Sequence, residues 1–168
     1  MRLLSFRFHL KGLDFSALLD AEGYLLHLTF RPTFEPRTLR RLKRFLGPFE
    51  LVPGERLPES LLLELSSYLA GQNRRPTYPL RLLGTEFEQA VWEKTCLVPY
   101  GETRTYGWLA RAVGRPQGAR AVGRALSANP VPIFVPCHRI VGKRGLTGFS
   151  QGLELKRVLL RLEGALSQ

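Results

Sequence analysis

The stretch TYGWLARAVGRPQGARAVGRALS, residues 105–127, carries two helical patterns on either side of a short turn. In the first pattern, Thr105 is a candidate N-cap, apolar residues recur at i, i+3, i+4 and i+7, and Gly114 follows the last of them. The second pattern predicts a helix from about Gln117 to Ser127. Two short helices joined by a tight turn, with arginines in the second, are the outline of a helix-turn-helix, although unrelated helix pairs also share it.

The second predicted helix is slim. Small residues alternate with arginines along it and its entry turn: Arg115, Gly118, Ala119, Arg120, Ala121, Gly123, Arg124 and Ala125. Small side chains let a helix backbone approach DNA closely, which suits the narrow minor groove. The alternative interpretation is that they allow tight packing within the protein.

The helix pair is followed by NPVPIFVPCHRIVG, residues 129–142, in which three prolines and an apolar run precede Cys137 and His138. Proline biases the backbone toward extended conformations, so we predict a stiff arm that holds Cys137 in a fixed place. A base beside a thiol can take its proton as reaction begins, and nearby arginine charge favours the thiolate. For Cys96, the other cysteine, we predict an inert core thiol.

The last helical pattern runs from about Leu153 to Glu163 and is followed by Gly164. Glu163 borders the apolar face at the C-terminal end of this helix, where the helix dipole disfavours a negative charge. A carboxylate in that position needs a partner, and a histidine is a natural one. The alternative is an exposed glutamate at a frayed helix end.

The first half of the chain predicts a small α+β domain without catalytic residues. Two strands flank a turn at Asp20–Gly23, and helices are expected in PRTLRRLKRFLG and PESLLLELSSYLAG. The glycine and prolines of AGQNRRPTYP, residues 70–79, mark a boundary between domains at 1–75 and 79–168. His9 and His27 stand alone in strand-like runs, so we predict no metal site. Beyond the boundary, Thr85–Glu88 forms a capping box for a helix that is expected to bury its apolar side chains: Phe87, Ala90, Val91 and Trp92.

Charge favours a polyanionic partner. The net charge is +11, and residues 103–144 contain eight basic side chains and no acidic one. Such a stretch attracts nucleic acid, although an arginine-rich genome would also produce it. No apolar run reaches the roughly 18 residues of a membrane span, and two cysteines cannot form a disulfide framework. A cytoplasmic protein without membrane contact is therefore expected.

The segment NPVPIFVPCHRIVGKRGLTGFSQGLELKRVLLRLEG closely resembles the active-site segment of the O6-alkylguanine-DNA alkyltransferases, or methylated-DNA–protein-cysteine methyltransferases. The similarity extends back to Gly84 and covers the second half of the chain. It implies an α+β fold: a small RNase H-like α/β domain at the N-terminus, and a mostly helical domain with a winged-helix-like helix-turn-helix that carries the cysteine. The implied protein is a monomer that needs no cofactor or metal.

The resemblance also implies roles for individual residues. Cys137 corresponds to the alkyl acceptor, His138 to its base with water linking the two, Glu163 to the carboxylate that orients His138, and Asn129 to the asparagine that braces the active-site turn. Tyr106 corresponds to the tyrosine that helps rotate the target nucleotide. The remaining assignments are DNA contacts at Gln117, Arg120 (the finger that fills the gap in the base stack), Ala121, Arg124 and Arg139, and pocket residues at Ile140, Phe149 and Ser150.

The implied function is repair of double-stranded DNA bound through the minor groove. O6-alkylguanine, and also O4-alkylthymine, would be flipped out, and the alkyl group transferred irreversibly to Cys137 in one turnover. Phe149 and Gln151 depart from the family, which usually has tyrosine at the first position and commonly glycine or tryptophan at the second. Two alternatives stay open at this point: a lesion-binding protein without repair activity, like the alkyltransferase-like proteins, and a Cys-His hydrolase.

Overall fold

The computed structural model describes residues 1–149 and 151–166 and divides into two compact units, Met1–Leu83 and Gly84–Gln168. The first unit extends a few residues past the predicted boundary because the chain after Pro79 runs beside the strand that contains Leu25. The amide of Leu25 donates to the carbonyl of Pro79, and the amide of Arg81 donates to the carbonyl of Leu25. These bonds attach residues 79–81 to the first unit.

The first unit is built on a four-stranded sheet with the strand order β3-β2-β1-β4. Its strands are β1 (Arg2–Leu10), β2 (Leu13–Leu19), β3 (Leu25–Thr29) and β4 (Glu50–Pro53). Strands β1, β2 and β3 are antiparallel neighbours, whereas β4 pairs with β1 in parallel. The two strands predicted around the Asp20 turn are confirmed as β2 and β3. The Asp20 carboxylate accepts the amides of Glu22 and Tyr24, which closes that turn.

The two predicted helices of this unit are confirmed as α1 (Pro36–Leu46) and α2 (Glu59–Leu69). Helix α1 begins with a proline at its first positions and ends at Gly47, which adopts a φ of 79°. Helix α2 buries Leu61, Leu65 and Tyr68 completely. Together with the fully buried side chains of β2 and β3, these residues form the core of the unit.

The second unit packs helices α3 (Glu86–Thr95), α4 (Tyr106–Ala112) and α5 (Ala119–Ser127) against one another. The capping box at Thr85 and Glu88 and the N-cap at Thr105 are both present. Two details differ from the prediction. Phe87 and Ala90 are only half-buried, because the face of α3 that packs on α5 is centred on Trp92, whose indole nitrogen donates to the carbonyl of Ala125 at 2.8 Å. Helix α5 begins two residues later than predicted.

The chain then forms a short 3-10 turn, Cys137–Arg139, which leads into β6 (Ile140–Val141). Strand β6 pairs in parallel with β5 (Arg104–Thr105), just before α4. A tight turn between Gly142 and Gly145 follows, and the last helix, α6 (Leu153–Leu162), has Glu163 as its C-cap. The fold is therefore mixed α+β. Of the helices among the described residues, none combines the length and apolar character that a bilayer-spanning segment requires.

Candidate active site

The segment between α5 and Cys137 is a tight turn rather than the extended arm that the prolines predicted. The amide of Val135 donates to the carbonyl of Val131 at 3.0 Å, so the chain doubles back before it reaches Cys137. Ile133 has a φ of 76°, in the left-handed region that β-branched residues rarely adopt. Such strain costs on the order of 1–3 kcal/mol and persists where the surrounding structure fixes it, often at active sites.

Asn129 makes hydrogen bonds across this turn. Its side-chain amide donates to the carbonyl of Val135 at 2.9 Å and to Sγ of Cys137 at 3.0 Å, and its Oδ1 accepts the amide of Val131 at 3.0 Å. Asn129 is buried, so water does not compete for these bonds. One side chain therefore fixes the turn and also donates to the sulfur atom.

His138 and Glu163 lie together at the base of the turn. Nε2 of His138 is 2.7 Å from Oε2 of Glu163, and both side chains are fully buried. Because a carboxylate only accepts hydrogen bonds, Nε2 carries the proton and the neutral ring keeps its lone pair on Nδ1. Nδ1 is buried and has no hydrogen-bond partner among the described residues. The frayed-end alternative for Glu163 is wrong, because the C-cap of α6 lies inside the unit.

Arg139 occupies the other side of the same carboxylate. Its Nε lies 2.8 Å from Oε1 of Glu163, its Nη2 lies 3.0 Å from Oε2, and its Nη1 donates to the carbonyl of Val98 at 2.8 Å. The structure contradicts the prediction that Arg139 contacts DNA, because its side chain is buried and its donors bind groups inside the protein. Its guanidinium compensates the charge of Glu163, which lets His138 remain neutral.

The site keeps both reactive groups uncharged at rest. Burial raises the pKa of the Cys137 thiol to about 11, although the hydrogen bond from Asn129 and the charge of Lys156 oppose that change. Burial lowers the pKa of His138, the contacts with Glu163 oppose this, and the charge of Arg139 adds to the lowering. At rest the site therefore holds a thiol and a neutral imidazole, so reaction needs a proton transfer from sulfur.

A cavity of about 380 Å³ opens onto Cys137. Its walls come from α4, α5 and the segment before α6: Tyr106, Ala119, Arg120, Gly123, Leu126, Ser127, Cys137, Thr147, Gly148 and Phe149. Phe149 and Tyr106 supply aromatic walls, and the Tyr106 hydroxyl donates to the carbonyl of Thr147 at 2.8 Å. Of the other predicted pocket residues, Ile140 is fully buried outside this lining, and Ser150 lies outside the described residues.

The outer face of α5 is open rather than packed. A Cβ atom added at Gly123 would meet nothing within 4 Å, and Ala119 is exposed. The packing interpretation of the small residues therefore fails at Gly123, although Ala125 does lie against Trp92. The predicted DNA contacts on this helix and its entry turn are accessible: Gln117, Arg120 and Arg124 are exposed, and Ala121 is half-buried.

Two residues differ from what sequence reasoning assigned. Cys96 is exposed as a residue and so does not lie in the core, although its sulfur lies 3.9 Å from the carbonyl of Phe134 and partial burial raises the pKa of its thiol. Lys156, which sequence reasoning did not single out, is fully buried on α6 next to the cavity wall.

Within residues 1–149 and 151–166, no cluster of three or more His, Cys, Asp or Glu side chains is arranged to hold a metal ion.

A buried cysteine, histidine and glutamate below an open, arginine-bearing helix define a protein that uses a thiol nucleophile next to a surface suited to nucleic acid. Residues 86–165 match the family model described as 6-O-methylguanine DNA methyltransferase, DNA binding domain. The inducible methylated-DNA–protein-cysteine methyltransferase of Bacillus subtilis is 44% identical over 122 residues, which cover 72% of this chain and 68% of that protein. The enzyme of Methanosarcina acetivorans is 43% identical over 124 residues, covering 73% and 80%. The chain therefore belongs to the methylated-DNA–protein-cysteine methyltransferase family, and the predicted resemblance is confirmed.

Solved structures agree over nearly the whole chain. The O6-methylguanine methyltransferase of Mycobacterium tuberculosis matches with a TM-score of 0.79 and 33% identity, covering 97% of this chain and 92% of that one. The structure of that protein in complex with DNA matches with a TM-score of 0.76 and 33% identity, covering 98% and 93%. The likeness thus includes the first unit, for which sequence reasoning had only size and element order.

Proposed function

We propose that this protein repairs duplex DNA by transferring the alkyl group of O6-alkylguanine, and also of O4-alkylthymine, to Sγ of Cys137. The observation that carries the proposal is the sequence of contacts at the cavity floor. Asn129 donates to the sulfur, and next to Cys137 in the chain His138 keeps an unpaired Nδ1 while its Nε2 faces Glu163. In this setting the thiol can act as a nucleophile, and the free Nδ1 of His138 can act as the base that accepts its proton.

The proton would leave sulfur along a defined route. A water molecule between Sγ and Nδ1 of His138 carries the proton from the thiol to the imidazole, and Glu163 stabilises the imidazolium that forms. The thiolate attacks the alkyl carbon, the new S–C bond forms, and the C–O6 bond breaks with its electron pair passing to guanine. The product is a thioether, which no group in the site can cleave, so the protein acts once. His138 releases the thiol proton to solvent and the departing guanine takes up one proton, so the reaction balances without a cofactor.

Guanine departs as an anion unless a donor supports it, and Tyr106 can be that donor once its hydroxyl turns from the carbonyl of Thr147 to the bound base. Burial raises the pKa of Tyr106, so its hydroxyl stays protonated at neutral pH. It lines the same cavity as Cys137 and Phe149. Phe149 offers an aromatic face for the extruded base, but it lacks the hydroxyl that the family usually has at this position.

The target base must leave the duplex to reach the cavity. Arg120 is exposed at the cavity rim on α5, which suits insertion into the space that the base vacates. The open face around Gly123 allows the helix backbone to approach the minor groove, with Gln117, Ala121 and Arg124 beside it. The alternation of helix pair, short strand and tight turn supports a winged-helix-like description of the second unit. The sheet order with one parallel pair supports an RNase H-like description of the first, and we expect a monomer.

Intact-mass measurement after incubation with duplex DNA that contains O6-methylguanine tests the proposal. One methyl mass per protein molecule, located on Cys137 by peptide mapping, is expected. Cys137→Ser should bind the lesion duplex and gain no mass, because a hydroxyl has a far higher pKa than a thiol and stays protonated. Many turnovers per molecule, as a Cys-His hydrolase would give, or methylation of Cys96 would contradict the proposal. Lesion binding without any added mass would instead support the non-repairing alternative.

A further inference from the structure

Lys156 is a buried cation that takes no direct part in the proposed proton and alkyl transfers, although its charge helps to lower the pKa of Cys137. Its side chain is fully buried on α6. Its ammonium donates to three backbone carbonyls, those of Ile140 at 2.7 Å, Thr147 at 2.9 Å and Gly148 at 2.9 Å. Among the described residues no carboxylate pairs with it, so these carbonyl dipoles are what compensates the charge. A buried charge without a counterion is costly and is kept where it performs a task.

The three carbonyls lie at the two ends of one loop. Ile140 begins the loop in β6, and Thr147 and Gly148 end it beside Phe149 in the wall of the cavity. The carbonyl of Thr147 also accepts the hydroxyl of Tyr106, whose ring centroid lies 5.9 Å from the Lys156 nitrogen. Lys156 thus ties the beginning of the loop to its end, and both to the aromatic wall of the cavity.

We propose that Lys156 is a positioning residue whose ammonium closes the loop from Ile140 to Gly148 and so fixes one wall of the alkyl-accepting cavity. The loop role stands on the geometry alone, whereas its consequence for alkyl transfer rests on the proposed function. The number of donors on the Lys156 ammonium matches the number of carbonyls that it binds. An ammonium has three N–H donors for the three carbonyls, whereas a neutral amine has two donors and a lone pair that a carbonyl oxygen would repel.

The closure is therefore sensitive to pH. The titratable groups that face Lys156 are Tyr106 from α4 and, from the 3-10 turn, Cys137 and His138. Burial lowers the pKa of Lys156 to about 8, and the nearby Cys137 sulfur, when ionised, opposes that change. The loop is closed by an ammonium below this pH, and it loosens as the pH rises through it.

Limited proteolysis measures the loop directly, because its tip carries Lys143 and Arg144, which are exposed and are trypsin sites. Lys156→Met keeps the length and apolar stem of the side chain without the charge, and cleavage at the tip should accelerate about tenfold or more as local opening becomes easier. Arg157→Met is the matched control, since the neighbouring Arg157 is exposed and, within the described part of the chain, forms one ion pair, with Glu154 at 3.6 Å. Its cleavage rate should equal that of the unmodified protein. Equal rates for Lys156→Met and Arg157→Met would overturn the proposal.

The dependence of cleavage on the charge of residue 156 distinguishes a positioning role of the ammonium from a side chain that only fills space. Normalised to a peptide substrate, cleavage at the tip of the unmodified protein should accelerate between pH 7 and pH 9, and Lys156→Arg, which stays charged, should abolish that acceleration. If Lys156→Met does not fold, as judged by circular dichroism, Lys156→Arg alone decides, and an unchanged pH response in it would refute the proposal.

Alkyl transfer supplies the second readout. With O6-benzylguanine, Lys156→Met should raise the concentration that gives the half-maximal single-turnover rate about tenfold, because the wall is displaced. The maximal rate should also fall, because the charge of Lys156 helps to lower the pKa of Cys137. A fall in the maximal rate with no change in that concentration would place Lys156 in the chemical step and overturn the positioning role. If the unmodified protein transfers no alkyl group, the proposed function fails, and the protease result still decides the role of Lys156 in the loop.

Discussion

Replacing Arg139 by methionine should change the pH at which the protein works, although Arg139 does not touch the thiol. The guanidinium and the imidazole share Oε2 of Glu163, at 3.0 and 2.7 Å. When the guanidinium is removed, the buried carboxylate loses its positive partner, and His138 becomes the group best placed to supply a positive charge. The pKa of His138 should therefore rise, because the charge of Arg139 is one of the causes that lower it. A protonated imidazole has no lone pair for the proton of Cys137.

The size of the effect follows from the geometry. Two nitrogens bonded to the same oxygen at these distances lie no more than about 6 Å apart, and two unit charges at that separation interact by about 3 kcal/mol at an effective dielectric constant of 20. This energy corresponds to about a hundredfold in the population of neutral imidazole. The single-turnover rate of Arg139→Met should fall by up to that factor at pH 6 and recover as the pH rises to 9. Removing one partner of a buried pair should also cost about 3–5 kcal/mol of unfolding free energy.

The assay is the pH–rate profile with free O6-benzylguanine, which avoids DNA binding, together with urea unfolding at each pH. Arg139→Lys is the control, since it keeps the charge, and its profile should stay close to that of the unmodified protein. The double variant Arg139→Met with Glu163→Gln should regain part of the lost stability, because it no longer buries an uncompensated carboxylate. A uniform loss of rate at every pH, with no shift of the acidic limb, would refute the reasoning.

Two further predictions concern DNA. Affinity for duplex should fall steeply with salt because each phosphate contact releases a counterion, and Arg124→Ala should reduce the slope of log K against log salt by about 0.9; a slope that does not change would remove Arg124 from the interface. Arg120→Ala should slow repair of duplex on the order of tenfold to a thousandfold while sparing free O6-benzylguanine, because base extrusion costs a few kcal/mol. If it slows the free base equally in single-turnover measurements, Arg120 acts in the chemical step.

Local signals in the sequence predicted the elements that local interactions determine. The capping box at Thr85 and Glu88 and the N-cap at Thr105 satisfy backbone groups within one turn, so their spacing is enough to place α3 and α4. The same holds for the glycine after α1. Strand β4 was not predicted, because its pairing with β1 joins segments almost fifty residues apart and leaves little local pattern.

The site was predictable only as far as the family motif reaches. Cys137, His138 and Glu163 could be named from it, but the role of Arg139 depends on a carboxylate 24 positions away. An arginine within a basic stretch therefore looked like a DNA contact. The position of Lys156 could not be predicted from the sequence, because its partners are backbone carbonyls, which every residue type carries. Ile133 was predicted to be extended because prolines flank it. Its positive φ occurs in a turn that hydrogen bonds from Asn129 hold, and the proline pattern does not reveal those bonds.

A protein that reacts once gains from a nucleophile that stays inert until its substrate arrives, and thiol labelling can test whether this one does. With a pKa of about 11, roughly one Cys137 in ten thousand is a thiolate at pH 7, and the residue is buried, whereas Cys96 is exposed. Iodoacetamide at pH 7 without DNA should therefore label Cys96 before Cys137, as read by peptide mapping over time. The rate at Cys137 should rise as the pH approaches its pKa, and Cys96→Ser should not lower that rate, because the charge of Cys96 is one of the causes that raise the pKa of Cys137. Faster labelling of Cys137 at neutral pH would show that the resting site already holds a thiolate, and the base would then have to act after attack rather than before it.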